Sequence, residues 1–429
     1  MIRLLGTFLI ALMMLAFGIG CKPQPAKAPD GKIEIEFWTL QLMDFKDLLG
    51  DMFAEYEKAH PNVRIKWVDV PFSEGEKRTL TVMMSDDVPD VVNLNPDFSA
   101  ILASRNALLN LNEWVTSEQR ESYLPVAWQT ATLKQSGKQN TFGFPWYITS
   151  SVTLYNTQLL KKAGLSQPPG SYKDIIDAAV ALKKSANVYA LMPVIAERGN
   201  FLKELKKNGV RLYDDTGRAV FAREGSPLLQ RFVELYKRDL IPAETLTESH
   251  RAAVDRYQSG TLAMLLSGAN FLNIVKENAP VVFKETQVAP QFPKNSLYKD
   301  FSMMILVVPK KSKHPKEAVD FALFVTNKLN QLKLAQAAPV LPSVNAALED
   351  SYFQKSKSAD IIERARSISA GQLLSAKEAY QIQPGQQEIN AVVDHHVQLA
   401  LLGKLLPAEA LLKAEKAVND IIESNRSGL

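Results

Sequence analysis

A single cysteine in 429 residues removes whole classes of chemistry. One thiol cannot build a disulfide framework, a Cys-based zinc site or an iron–sulfur cluster. Excess charge is nearly absent too, since 50 Lys and Arg against 46 Asp and Glu leave +4. Nucleic-acid binding needs basic clusters on one face, and so small a surplus on so long a chain gives no such footprint. Beyond residue 20 no apolar run approaches the about 20 residues that span a bilayer. The signatures of common catalysts are also missing: there is no G-x-S-x-G elbow, H-E-x-x-H, P-loop or G-x-G-x-x-G. His395-His396 is the only histidine pair. Adjacent helical residues point about 100° apart, so the two share no ligand face. Asp86, Asp87 and Asp90 cluster around Pro89 without a ligand-spaced loop, which reads as a solvated turn rather than a cation site. No metal, cofactor or nucleic acid is expected.

What is present is apolar substance and order. Hydrophobic residues make up 46% of the chain, too many for a disordered one, and the length suits roughly two to three domains of about 150 residues. The chain opens like a secretory signal. Arg3 is followed by an uncharged run from Leu4 to Ile19, and Gly18-Ile19-Gly20-Cys21 closes it with small residues. The sole cysteine at that position resembles a bacterial lipobox, with Gly18 where Leu is usual. Residues 1–20 are expected to be a lipoprotein signal peptide and Cys21 the lipidated residue. Residues 21–32, rich in Pro, Ala and Lys, form a flexible tether on this reading.

The body behind the tether alternates strand and helix. Ile33, Ile35 and Phe37 alternate with Glu34 and Glu36, the period of a half-buried strand. Phe45, Leu48, Leu49, Met52, Phe53 and Tyr56 then make one helical stripe, with Asp44 as its cap and Pro61 as its stop. Val63, Ile65 and Trp67 form a second strand, and Asp90 to Leu94 a third. This strand–helix–strand order predicts a parallel sheet covered by helices. The pattern returns with a strand over Ser151–Tyr155 and a capping box at Ser171 and Asp174. A strand over Met303–Val308 and helices opened by Pro315 and Pro407 follow. The fold class is α/β with two lobes.

Aromatic residues beside hydrogen-bonding ones, placed in loops, mark candidate ligand positions. Trp38 and Gln41 follow the first strand, Asn95 and Asp97 the third. Trp146 and Tyr147 precede the second-lobe strand, and Asn270-Phe271 ends an apolar segment. In open α/β sheets ligands bind outside the carboxyl ends of strands. A ring beside an amide or carboxylate suits a polyol, covering its C–H face while polar groups hold its hydroxyls.

In order and spacing these segments resemble the family 1 extracellular solute-binding proteins of ATP-driven (ABC) importers, the maltose- and sugar-binding group. The motifs include Glu36-Phe37-Trp38-Thr39, Tyr56-Glu57-Lys58-Ala59-His60-Pro61, and Pro89-Asp90-Val91-Val92. Gly143-Phe144-Pro145, Leu154-Tyr155-Asn156 and Lys162-Ala163-Gly164 continue them. Pro168-Pro169-Gly170-Ser171-Tyr172, Gly260 to Met264, and Leu341-Pro342 complete the set. The resemblance implies a periplasmic-binding-protein-like (type II) fold of two lobes with a hinge and an interlobe cleft. Residues 33–143 plus 302–350 would build the N-terminal lobe, and 147–300 plus 352–429 the C-terminal lobe. It places Trp146 and Tyr147 at the cleft, a ligand residue near Gln41, another near Asn95 or Asp97, and an aromatic contact near Asn270 and Phe271.

The expected function is capture of a small neutral solute, a sugar, oligosaccharide or sugar–polyol, and its delivery to the permease subunits of an importer. The protein would act as a monomer, held by its lipid to a bacterial membrane and facing the periplasm or exterior. It would not be an enzyme. Two rivals stay open: an exported carbohydrate-active enzyme, which needs two opposed carboxylates about 5–10 Å apart, and a lipoprotein co-receptor, which needs a large exposed apolar patch.

Overall fold

A computed structural model describes residues 31–135, 138–354 and 357–427. The expected signal peptide, Cys21 and nearly all of the tether lie outside the described residues.

The first βαβ unit forms as its periodicity predicts. β1 (Ile33–Leu40) pairs in parallel with β2 (Val63–Val70), from Ile33 opposite Val63 to Leu40 opposite Val70. The connecting helix Lys46–Ala59 buries Leu49, Met52, Phe53 and Tyr56 on one stripe. Asp44 does not cap it; Met43–Phe45 is a separate 3-10 turn, and the helix starts after Phe45 with no side-chain cap. β3 (Val91–Leu94) lies on the other side of β1.

After the hairpin β4 (Thr132–Gln135) and β5 (Lys138–Thr141), the chain enters the longest strand, β6 (Phe144–Asn156). Its thirteen residues serve two sets of partners. Phe144 to Ser150 pair antiparallel with β9 (Phe301–Val307), and Ile148 and Tyr147 also with β10 (Leu341–Pro342). Ser151 to Asn156 pair instead with β7 (Met264–Gly268) and β8 (Thr286–Ala289). The main path of this sheet runs β10-β6-β9-β3-β1-β2. The strand expected at Ser151–Tyr155 therefore starts earlier, at Phe144, and the exchange of partners falls at Ser150–Ser151, beyond Gly143-Phe144-Pro145. Gly143 itself lies against β9. A Cβ there would sit 2.5 Å from Ile305 Cδ1, so the close approach requires glycine.

The register of β6 against β9 shifts between Pro145 and Tyr147. An extra residue at such a bulge loses its ladder position and re-aims its side chain. Trp146 and Tyr147 thereby join one apolar cluster, whereas strict alternation would send them to opposite faces. That cluster is aromatic at its centre: Phe37 packs edge-on to Phe53 at 6.0 Å and to Phe321 at 5.3 Å, with Trp146 at 6.0 Å. Helices Pro315–Val325 and Lys46–Ala59 close it from outside. A larger cluster runs from Trp38, Leu94 and Phe98 of the first half into the helices of the second, and a third lies around Val254, Leu265 and Leu272.

Local expectations at other ends fare unevenly. Pro315 and Pro407 open their helices. At Ser171 no capping box forms; its hydroxyl donates to Asp174 Oδ2 at 2.6 Å, and the helix begins at Ile175 without a side-chain cap. Asp86 and Asp87 are solvated and pair with Lys311 and Lys313, but Asp90 is buried and accepts from Ser312 Oγ and the Glu36 N–H. Among the described residues no helix is long and apolar enough to cross a membrane.

Phe37 is fully buried and touches three aromatic rings. Phe37→Ala is therefore expected to lower unfolding free energy by about 3–5 kcal/mol. Denaturant titration reads this as a fall in midpoint; a loss below about 1 kcal/mol would contradict the aromatic cluster's role.

Candidate functional site

A buried ionic group fixes one wall of the site. Helix Asn200–Lys207 ends in Lys207, whose ammonium lies 2.7 Å from Glu204 Oε1 and 3.2 Å from Asp300 Oδ2, with its side chain 8% exposed. Tyr172 donates to Glu204 Oε2 at 2.8 Å. Burial disfavours the Lys207 charge, but Asp300 and Glu204 outweigh it and hold the amine above its usual range. Asp300 feels burial the opposite way, and Lys207 still keeps its carboxyl low. A buried charge is tolerated only when paired in this manner. Asp300 directly precedes β9 and its carbonyl accepts from the Ser151 N–H, so the cluster ties the helix to the point where β6 changes partners.

The start of the same helix is held by a second device. Gly199 takes φ +68°, and a Cβ there would lie 2.1 Å from Asn390 Oδ1. Its N–H donates to both oxygens of Asp394, each at 3.1 Å. Asn390 and Asp394, four residues apart on helix Gln386–Leu401, thus grip the Glu197–Gly199 loop from one face. Burial pushes the Asp394 carboxyl up to about 6; the Gly199 N–H opposes the shift and the Glu197 charge adds to it.

This anchoring holds Arg198, which is exposed and pairs with Glu197, and Lys203 within charge range of Asp97 on the other half of the chain. Asp97 opens helix Pro96–Ser104, directly after β3. Its side chain keeps access to solvent, yet enough protein surrounds it that burial raises its carboxyl above the usual range. Lys203 and Arg198 oppose the shift and Glu76 reinforces it. Tyr380 completes the group: buried, it lies within the field of Asp97, and the Lys203 ammonium stands 5.9 Å from its ring. An acid from the first half of the chain and two bases and an aromatic ring from the second thus lie within charge range of one another.

Two cavities stand out among the described residues. One of about 1,040 Å³ is bounded by Trp128, Thr132 and Gln139 on one side and by Lys206, Tyr213 and Gln381 on the other. A second, of about 220 Å³, is lined by Thr149 and Ser150 of β6, by Ala335 to Leu341, and by Asn270, Asn273, Arg366 and Ser369.

The residues singled out in the sequence divide accordingly. Asp97 is exposed at the start of helix Pro96–Ser104, within charge range of Lys203 and Arg198, and Asn270 lines the smaller cavity. Asn95 caps helix Pro96–Ser104 through the Phe98 N–H and donates to Glu76 Oε1 at 2.8 Å. Gln41 is exposed at the end of β1 with φ 53°. Tyr147 is half-buried, and burial raises its hydroxyl, the Asp69 charge adding to the effect. Phe271 is half-buried and sits edge-on to His250 at 5.0 Å. The two tryptophans depart from expectation. Trp146 is fully buried in the aromatic cluster, with no partner for its Nε1. Trp38 is buried under the Arg78 guanidinium, 4.8 Å from its ring, and its Nε1 donates to Glu36. Neither offers a bare ring face to a solute. Arg198, Lys203, Tyr380 and Asp394 were not foreseen; only the Arg198-Gly199 dipeptide, a charge beside a residue suited to positive φ, carried a signal. Among the described residues no cluster of three His, Cys, Asp or Glu is placed to hold a metal.

Asp394 gives a pH test. Its pKa is higher in the folded chain than in the unfolded one, so between about pH 4 and 6 the folded state binds more protons and stability falls as pH rises. Asp394→Asn, which keeps an acceptor for the Gly199 N–H, is expected to flatten that part of the curve and to be the more stable form at pH 7. Melting temperatures from pH 4 to 7 check it; an unchanged slope would contradict the assignment.

Comparison with known proteins agrees with this geometry. The family model described as bacterial extracellular solute-binding protein matches residues 44–331. A putative oligosaccharide periplasmic-binding protein from Synechococcus sp. MITs9220 is 31% identical with a TM-score of 0.83, covering 91% of this chain and 99% of that one. The putative ABC transporter periplasmic-binding protein YcjN of Escherichia coli (strain K12) is 22% identical over 442 residues, 97% of this chain and 98% of its own. The arabinooligosaccharide-binding protein of Bacillus subtilis (strain 168) is 21% identical over 331 residues, 74% of this chain and 75% of its own. Maltose-bound MalE3 of T. maritima, at 20% identity, TM-score 0.69 and coverage of 91% and 100%, shares the two-lobed fold. The chain belongs to the bacterial extracellular solute-binding protein family, the family of the binding components of ABC importers.

Proposed function

We propose that this protein captures a carbohydrate, an oligosaccharide or a sugar–polyol, between its two lobes and presents it to the permease subunits of an ABC importer. The observation that carries the reading is the two-lobed fold, in which Asp97 from the first half lies within charge range of Lys203, Arg198 and Tyr380 from the second. A solute there touches both halves at once, so it favours the closed arrangement by its differential affinity for it. Donors and acceptors on both walls suit hydroxyl groups, which act as both. Relatives described as oligosaccharide-binding and arabinooligosaccharide-binding support the same reading. We place Gln41, Asn95, Asp97, Tyr147, Asn270 and Phe271 on the solute side of the lobes. Trp38 and Trp146 support the walls from within.

The lobes on this reading are 33–143 plus 302–350 and 147–300 plus 352–429, with the passage through β6 centred on Ser150–Ser151. Cys21 carries the lipid, residues 1–20 are removed, and the monomeric body stands off the outer face of a bacterial membrane. Family membership in a group of binding proteins supports binding without turnover. Asp394 is engaged by Gly199 on both oxygens, which suits a clamp rather than a free catalytic acid.

Isothermal titration of the purified protein against neutral mono- and oligosaccharides, polyols and amino acids is expected to give heat with a saccharide. Asp97→Ala is expected to weaken that saccharide at least about tenfold. Binding of amino acids alone would overturn the carbohydrate reading. In a separate test, Cys21→Ser is expected to move the protein from the membrane fraction to the fluid outside the inner membrane; persistent membrane association would contradict lipidation there.

A further inference from the structure

We propose that the cavity of about 220 Å³ beside β6 receives an anionic group of the solute, so that the carbohydrate bound is one bearing a carboxylate, such as a uronic acid unit. This rests on the carbohydrate reading above and adds a charge to it. The cavity equals about seven waters' share of liquid volume, the room of one sugar ring rather than a chain. No Asp or Glu stands among its lining residues, and Arg366 is its one charged member.

Arg366 is built in rather than loose. Its guanidinium lies 3.7 Å from the Tyr352 ring centroid. Nε donates to the Tyr352 carbonyl at 3.2 Å and Nη1 to the Tyr352 hydroxyl at 2.9 Å. Its side chain is 17% exposed. The acid nearest to it, Glu363, stands 3.7 Å from Nη2, an ion pair too long to be a hydrogen bond, and accepts from Ser358 Oγ on its other oxygen. Two of five guanidinium N–H groups are thus spent on Tyr352, and the Nη2 edge keeps the fork geometry that matches a carboxylate.

A second observation stands apart from the charge. Ser369 is 1% exposed, lines the same cavity, and its Oγ has no hydrogen-bond partner. An unpaired buried hydroxyl costs free energy until a ligand supplies the missing partner. Asn270 and Asn273 add amides on the facing wall. Asn270, Asn273 and Ser369 supply donors to the cavity, and Arg366, whose one carboxylate partner Glu363 stands at 3.7 Å, adds the charge that favours an anion.

Titration calorimetry at one ionic strength should compare D-glucuronate and D-galacturonate with D-glucose and D-galactose, with maltotriose as a neutral oligosaccharide. A uronate is expected to bind at least about tenfold tighter than its parent hexose. Arg366→Gln should bring the pair to within about twofold, and Arg366→Lys should fall between. Ser369→Leu, which fills the cavity without touching the charge, should weaken the uronate as well. Unliganded melting curves show which variants fold, and the wild-type comparison stands without them. Neutral saccharide binding with no uronate preference would overturn the anionic subsite and leave the carbohydrate reading intact. Binding of no saccharide of either charge would overturn both.

Discussion

The two halves of this protein are joined through one strand that must satisfy two sheets. β6 runs unbroken for thirteen residues, hydrogen-bonded to β9 and β10 over its first part and to β7 and β8 over its last. Backbone groups that are buried must be paired, so neither half can pull away from β6 without losing its ladder. On the proposed reading the lobes pivot near the exchange of partners at Ser150–Ser151. The Lys207–Asp300 pair sits at that point, and through helix Asn200–Lys207 it links the hinge to the wall that carries Arg198 and Lys203.

The polar groups between the halves divide into those that build the walls and those that face the gap. Glu204, Lys207, Asp300 and Asp394 are engaged by neighbours and set positions. Asp97, Asn270 and Arg366 are the groups proposed to meet the solute. Such a site recognises by position: each donor or acceptor is fixed before the solute arrives, and the solute avoids the cost of ordering it. Closure then follows from contacts that exist only when both walls are present.

Much of this was legible in the sequence. The alternation of Ile33, Ile35 and Phe37 and the stripe from Leu49 to Tyr56 fix a βαβ unit through spacing alone. Asp97 was legible because it follows a β-branched strand, where open sheets bind ligands. Trp146 was not. It shares the side of β6 that Phe144 takes, and because both faces of that strand are covered it is buried in the aromatic cluster. Trp38 was misplaced for a related reason, since Arg78, forty residues on, covers its ring. Arg198, Lys203, Tyr380 and Asp394 come from separate helices and loops, and no spacing within any one segment announces that they meet. Asp394 looks like an ordinary polar position on a helix until Gly199 is seen beneath it.

The central claim is that a solute joins the two lobes. Small-angle X-ray scattering of the purified protein, without ligand and at saturation with the saccharide that binds it most tightly, tests it most directly. Gripping between the lobes should lower the radius of gyration and narrow the pair-distance distribution. Saturation with heat of binding but an unchanged scattering profile would place the solute elsewhere and contradict the account.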